Sequence, residues 1–406
     1  MACSPTQTCF YQKRNFALPR LTRRKPPLMA DTFLFRVHRS QILPALNAVF
    51  EAVDPRSNIP ILQNVLLSPN ADRLRLSGTN MTVEVETSCD LLESASGNPL
   101  TLSGKALLDI VKSLSEVAEI EFAFDDLRGQ IRVKSGRSKF LLSTLRADQF
   151  PTIASLASGK SVTVDMPSLI SAIARVKYAL FDHKDRAYLS GIFIHPEEGE
   201  NKIAVVAADG HNLAVVRFPC EADTTFPGAI IPIKAIDAIR RLFGETKASA
   251  QVKISDEMIQ ISCHDVRLTS KLIDAVYPDY DVAIPKNNTS RIVVDAKHLI
   301  DAVRRVCLVK KDDKRDTVKL VGSKGVLQVS MAATDGEEAV EEIAAEYNGP
   351  QIRIGFNGDY LKDALSSIKT TEVAISLLTE SSPGLLTPTV GTDELYVVYP
   401  RVLAHD

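Results

Sequence analysis

The chain has 406 residues, 45% of them apolar and 24% charged, with 48 basic residues against 50 acidic. This is an ordinary soluble balance for roughly two to four domains, and no apolar run reaches the length of a bilayer crossing, so a membrane role is excluded. Cysteines stand at 3, 9, 89, 220, 263 and 307 with no Cys-x-x-Cys, which excludes a disulfide framework and a cysteine zinc site and points to a reducing cytoplasm.

The first 28 residues hold Lys13, Arg14, Arg20, Arg23, Arg24 and Lys25 and no acid. Such a leader suits a transit peptide, a nucleic-acid arm or an upstream translation start. It has no apolar stripe and no cleavage site, and Met29 follows, so it is read as an upstream start and left out of the fold. The remaining residues carry 42 basic against 50 acidic side chains, a net of −8. That charge argues against DNA binding, because phosphate contacts need lysine and arginine.

From Thr32 onward the chain repeats. "TFLFRVHRSQILPALNAVF", "SVTVDMPSLISAIARVKYAL" and "SRIVVDAKHLIDAVRRVCLV" each read as a strand followed by a helix, and their starts at 32, 161 and 290 are 129 residues apart. Apolar residues fall at equivalent places: Ile42, Leu43, Leu46, Val49; Leu169, Ile170, Ile173, Val176; Leu299, Ile300, Val303, Val306. This spacing marks one helix face. Pro44 and Pro167 are expected in a first turn and Asp295 as an N-cap. A second strand–helix unit follows in each repeat, giving helices over 39–52, 105–114, 168–180, 234–243, 297–311 and 358–369 with alternating strand runs between them. The fold class is α+β: three similar domains, over 31–155, 160–284 and 288–406.

"AADGHNLAV" (207–215) raises the one catalytic question, since Asp209 and His211 lie two residues apart. Thr79–Asn80, Ala208–Asp209 and Thr334–Asp335 occupy the same point of the repeat, between two strands, where Asn or Asp-Gly signals a hairpin. Only the middle copy has a histidine. No Gly-x-Ser-x-Gly, no His-Glu-x-x-His, no phosphate-loop motif and no Gly-x-Gly-x-x-Gly supplies a partner, so a turn outweighs a hydrolase. The turn leaves His211 unexplained.

The charge is unevenly placed. The six helical stretches hold fifteen basic residues (Arg39, Lys105, Lys112, Arg175, Lys177, Lys234, Arg240, Arg241, Lys297, Arg304, Arg305, Lys310, Lys311, Lys362, Lys369) against six acids, a net of +9 in an acidic protein. Helices lining one surface would make it positive and able to touch phosphate without reading bases. Ordinary solvated helix faces are the plainer alternative.

At this point the chain resembles the bacterial DNA polymerase III beta subunit family, the sliding clamps. The residues that carry the resemblance are "NIPILQNVLL" (58–67), "SGRSKFLLSTL" (135–145), "DQFP" (148–151), "RAYLSG" (186–191), "ADGHNLAV" (208–215), "SKLIDAVYPDYDVAIPKN" (270–287), "IGFNGDYL" (354–361) and "YVVYP" (396–400). The resemblance implies a head-to-tail homodimeric ring of six domains, with helices lining a hole that encircles duplex DNA and antiparallel sheets forming the rim. It implies no catalysis, cofactor or metal.

It further implies a hydrophobic groove between domains 2 and 3, formed by Leu189, Gly210, His211, Leu213, Pro278, Val282, Val397 and Pro400. The groove would take short peptides from the polymerase III alpha subunit, the clamp-loader delta subunit, other polymerases and repair proteins. The chain departs from the family at Ala208, at Asn212 and in its ending "YPRVLAHD". For DNA the matching residues are Arg56, Tyr188, Lys234 and Arg240, with Ala187 in place of a second aromatic; for the dimer they are Phe140 and Leu142 against Leu308 and Val309. Two other readings stand beside the ring: a linear DNA-binding protein without closure, and a sequence-specific regulator, for which no helix-turn-helix spacing is present.

Overall fold

The structure, a computed structural model, describes residues 32–403 except 96, 155, 157–158, 182–184, 222–223, 311–316, 334–335 and 392. The basic leader, Lys311 and the Thr334–Asp335 turn therefore lie outside the described residues.

Six helices appear where the apolar spacing places them: α1 (Arg39–Phe50), α2 (Gly104–Ser113), α3 (Met166–Val176), α4 (Ile233–Phe243), α5 (Ala296–Val306) and α6 (Gly358–Ser367). In the first helix of each repeat the same register is buried, with Ile42, Leu46 and Val49 matched by Leu169, Ile173 and Val176 and by Leu299, Val303 and Val306. Side chains cap four of the helices. Ser103, Asp165, Asp295 and Asn357 each accept a backbone N–H of the first turn, Asp295 from His298 at 2.7 Å. Pro167 sits in the first turn as expected, but Pro44 is the sixth residue of α1, where it removes one interior hydrogen bond. The 297–311 stretch also ends early as an α-helix. After Val306 the chain tightens into a 3-10 turn, Cys307–Val309.

Two eight-stranded antiparallel sheets are shared between repeats. In one, Lys160–Asp165, Ser249–Ile254, Met258–Cys263 and Val266–Lys271 of the second repeat continue into Val83–Asp90, Arg73–Thr79, Asn64–Asn70 and Leu100–Ser103 of the first. In the other, Ala229–Pro232, Gly191–Pro196, Lys202–Ala208 and Asn212–Pro219 continue into Glu394–Val398, Gly384–Pro388, Glu372–Leu377 and Ser290–Asp295 of the third. The joints are the pairs Leu268↔Val85 and Leu213↔Val397 with their neighbours.

The first and third repeats each keep a sheet of their own. Thr32–His38, Glu119–Asp125, Gln130–Ser135 and Ser138–Ser143 form one, with the short Glu93–Ser94 added at the Thr32–His38 end. Glu338–Ala344, Val326–Ala332, Thr317–Ser323 and Ile352–Asn357 form the other, with Pro400–Arg401 added beyond the last. Helices pack in pairs, α1 on α2, α3 on α4 and α5 on α6, over one face of the sheets, and a single apolar core runs beneath all six.

Candidate functional site

The hairpin tip resolves the Asp209–His211 question. Asp209 Oδ1 accepts the backbone N–H groups of His211 at 2.7 Å and Asn212 at 2.6 Å, and its Oδ2 accepts Asn212 Nδ2 at 2.9 Å. Both carboxylate oxygens therefore hold the turn. Gly210 has φ +89°, a left-handed conformation open to glycine. The imidazole serves elsewhere: it stacks on Tyr360 of α6 with ring centroids 5.7 Å apart, and the His211 carbonyl accepts the Tyr399 N–H at 2.9 Å. His211 thus ties a second-repeat hairpin to the third repeat, a contact absent from any reading of turn chemistry alone.

Behind the tip, on the sheet face opposite the helices, lies a second apolar cluster. Along Lys202–Ala208, Ile203, Val205 and Ala207 enter the main core while Ala204 and Val206 turn to this outer side, as alternation in a strand requires. Leu189 (5% exposed), Leu213 (2%) and Val397 (0%) meet there with Tyr277, whose ring stacks on Phe193 at 4.6 Å. Pro278 and Val282 are exposed on the segment that leads into the third repeat, Val282 at 81%. Pro400 is half-buried, in register with Phe356.

The expected groove residues are therefore of three kinds: a buried floor (Leu189, Leu213, Val397), an exposed edge (Pro278, Val282) and a hairpin-tip wall (Gly210, His211), with Pro400 beside the sheet. Sequence reasoning missed Tyr277, Tyr280, Tyr360 and Tyr399 as neighbours of this site. Tyr280 donates to or accepts from His195 Nε2 at 2.9 Å, and burial pushes both the Tyr277 and Tyr280 phenols above their ordinary range, so they stay neutral. All four tyrosines lie inside the motifs "VYPDYD", "FNGDYL" and "VVYP".

The expected DNA residues do not form one set. Tyr188 packs against the outer cluster, on the side away from the helices. Lys234 is exposed and Arg240 half-exposed on α4, and Arg56 is exposed in the loop after α1. None of these three cations forms an ion pair among the described residues. Other helix cations are neutralised, several by acids far away in sequence: Arg175 by Glu394, Lys177 by Asp237, Arg241 by Glu51, and Arg305 by Glu341 at 2.5 Å. Glu394 and Glu341 come from strands outside the helical stretches and lower the formal excess of nine by two, whereas Asp237 and Glu51 are already counted in it; Arg56, Lys234 and Arg240 stay available to phosphate.

At the expected dimer contact, Phe140 and Leu142 are half-buried on Ser138–Ser143, an edge strand paired on one side only. Leu308 is 81% exposed on the 3-10 turn after α5, and Val309 is half-buried there. Among the described residues no group of His, Cys, Asp and Glu is arranged to hold a metal ion, and no helix is long and apolar enough to cross a membrane.

The sequence matches the family of the DNA polymerase III beta subunit in three parts: its N-terminal domain over residues 33–154, its central domain over 163–279 and its C-terminal domain over 282–401. The beta sliding clamp of Caulobacter vibrioides is 32% identical over 367 residues, spanning 90% of this chain and 98% of its own. That of Pseudomonas putida is 32% identical over 371 residues, spanning 91% and 100%. Among solved structures, the DNA polymerase sliding clamp from Caulobacter crescentus superposes with a TM-score of 0.86 at 30% identity, covering 92% of this chain and 100% of its own. The DNA polymerase III subunit beta from Pseudomonas aeruginosa gives 0.86 at 31%, covering 91% and 100%. The chain belongs to the DNA polymerase III beta subunit family: it is a sliding clamp of DNA replication, a processivity factor and not an enzyme.

Proposed function

We propose that two copies of this chain close head to tail into a ring of six domains (31–155, 160–284 and 288–406 from each) around duplex DNA. The ring tethers the polymerase III alpha subunit, the clamp-loader delta subunit and other polymerases and repair proteins by peptides seated in the outer groove. One observation carries the closure. Each shared sheet takes four strands from one repeat and four from the next, whereas among the described residues Ser138–Ser143 and Glu338–Ala344 end their own sheets unpaired. Joining these two edges between copies makes a third sheet whose eight main strands follow the same order, with the short Glu93–Ser94 and Pro400–Arg401 added at its two ends. The edges differ, so the contact is heterologous, and two such contacts close a ring. Each edge left open would expose a row of unpaired N–H and C=O groups.

Arg56, Lys234 and Arg240 then contact backbone phosphate inside the ring, while the groove faces outward. Measuring the mass in solution tests the closure. Twice the chain mass is expected for the native protein, and a folded monomer when Leu308 and Val309 are both changed to aspartate. The linear reading, a DNA-binding monomer without closure, predicts one chain mass and equal retention on circular and linear DNA; the ring is lost from DNA once the circle is cut.

A further inference from the structure

We propose that the joint between the first and second repeats is a second ligand groove, which takes a short peptide segment with apolar residues beside lysine or arginine. The proposal rests on the geometry of this joint and holds whether or not the groove between the second and third repeats takes a peptide.

The two joints are built alike. Asn80 Oδ1 accepts the N–H groups of Thr82 at 3.0 Å and Val83 at 2.9 Å, as Asp209 Oδ1 accepts those of His211 and Asn212. Met81 (φ +70°) takes the place of Gly210 (φ +89°). Phe150–Pro151 leads into the second repeat as Tyr277–Pro278 leads into the third, and the two aromatic rings are 7% and 8% exposed. Leu62, on the 3-10 turn Pro60–Gln63, matches Leu189 on Ala187–Leu189, each 5% exposed.

The first joint holds an open cavity of about 680 Å³. Its apolar lining includes Met81, Ile153, Met258 and Leu272. Met81 is 48% exposed and held in a left-handed conformation that residues with a side chain seldom adopt. A flexible thioether at that tip adapts to a varied ligand surface.

The chemistry differs from the apolar outer cluster in being acidic. Leu213 opposite Val397 floors the outer cluster, and the equivalent pair in the first joint is Glu84 opposite Thr269. Glu84 is 4% exposed and accepts the Ile153 N–H at 2.5 Å, directly beneath a residue of the cavity lining. Asp256, Glu257 and Asp274 line the rim, against one cation, Lys271. None of the three forms an ion pair among the described residues. An uncharged apolar peptide gains nothing from these carboxylates, whereas a basic side chain beside an apolar anchor satisfies both halves of the cavity.

The test uses the full-length assembled protein and a synthetic ten-residue peptide of leucines and arginines carrying a benzophenone, with a leucine–glutamate peptide as its counterpart. Binding is followed by fluorescence anisotropy and crosslinked sites by mass spectrometry. The basic peptide is expected to bind, to label Met81 or Met258, and to lose about tenfold in affinity when Asp256→Asn, Glu257→Gln and Asp274→Asn are combined. Val282→Asp, at the other groove, is expected to leave this binding unchanged. No binding by the native protein, equal binding of the acidic peptide, full affinity in the triple variant, or labelling confined to the Val282 region each overturns the proposal. Loss of binding in Val282→Asp alone moves the peptide to the other groove and also overturns it.

Discussion

Glu84→Gln isolates one carboxyl group in a sheet joint. Burial pushes Glu84 up to about 7 from its ordinary 4.5; the Ile153 N–H acts against that shift, and nearby Glu86 adds to it. The folded state therefore holds this proton more tightly than the unfolded chain does. Stability from the neutral form is fully present below about 4.5 and is lost as the pH rises through about 7. The loss amounts to about 3 kcal/mol. Glutamine keeps an acceptor for Ile153 N–H and never charges. The variant should match the native protein near pH 4.5 and exceed it by up to about 3 kcal/mol above pH 8. Because a three-domain chain does not unfold in one step, the assay is hydrogen exchange of the 150–154 linker at several pH values, read as the difference between variant and native so that other titrating groups cancel. Parallel pH profiles for the two proteins would refute the reasoning, since they would mean that Glu84 reaches solvent in the folded state.

Three further outcomes are expected. Leu308→Asp with Val309→Asp should yield a folded monomer by light scattering, because the joint would then bury unpaired charge. Arg56→Ala, Lys234→Ala and Arg240→Ala together remove six cations from a ring of two copies and should lower the log–log salt slope of retention on circular DNA by roughly five, with no change in base preference. Val282→Asp should abolish calorimetric binding of a polymerase-derived peptide while leaving the thermal midpoint within a degree or two, since Val282 is 81% exposed. Leu213→Asp is the poorer probe: at 2% exposure it would open the joint itself and cost several kcal/mol of stability.

Much of this was legible because repetition multiplies weak signals. The 129-residue period fixes the helix faces three times over, and the Asp209 turn is legible because Asn80 makes the same hydrogen bonds one repeat earlier. Helix ends were less visible. Nothing in "VRRVCLV" marks the tightening at Cys307, and Pro44 is tolerated mid-helix by a core that holds α1 regardless. The electrostatics were least legible, since Arg175 meets Glu394 across 219 residues and Arg305 meets Glu341 across 36. Counting charges along helices misses the two counter-ions, Glu394 and Glu341, that arrive from the sheets. Tyr360 under His211 is hidden for the same reason, because a ring stack between a hairpin and a distant helix has no local signature.

The joint strands themselves show why closure between copies needs a different composition from closure within a chain. By their pairing with the preceding strands, Ser138–Ser143 and Val266–Lys271 are equivalent: Phe140 faces Val133 as Leu268 faces Ile261. Leu141 and Leu142 stand where the inner joint has Thr269 and Ser270. The inner joint is tethered by a short linker, so its two halves meet at the high effective concentration of an intramolecular contact, and it tolerates Glu84, Thr269 and the Arg267–Glu86 pair. The proposed joint between copies has no tether and must overcome the lost translational freedom of a second molecule by burying more apolar surface. Placing leucines at 141 and 142, with Leu308 exposed at the other end of the chain, meets that requirement. Grafting Thr and Ser onto 141 and 142 should therefore weaken the dimer without unfolding the chain, whereas Thr269→Leu should leave assembly unchanged; the dimer dissociation constants of the two variants, measured by sedimentation, decide between a tethering explanation and a purely local one.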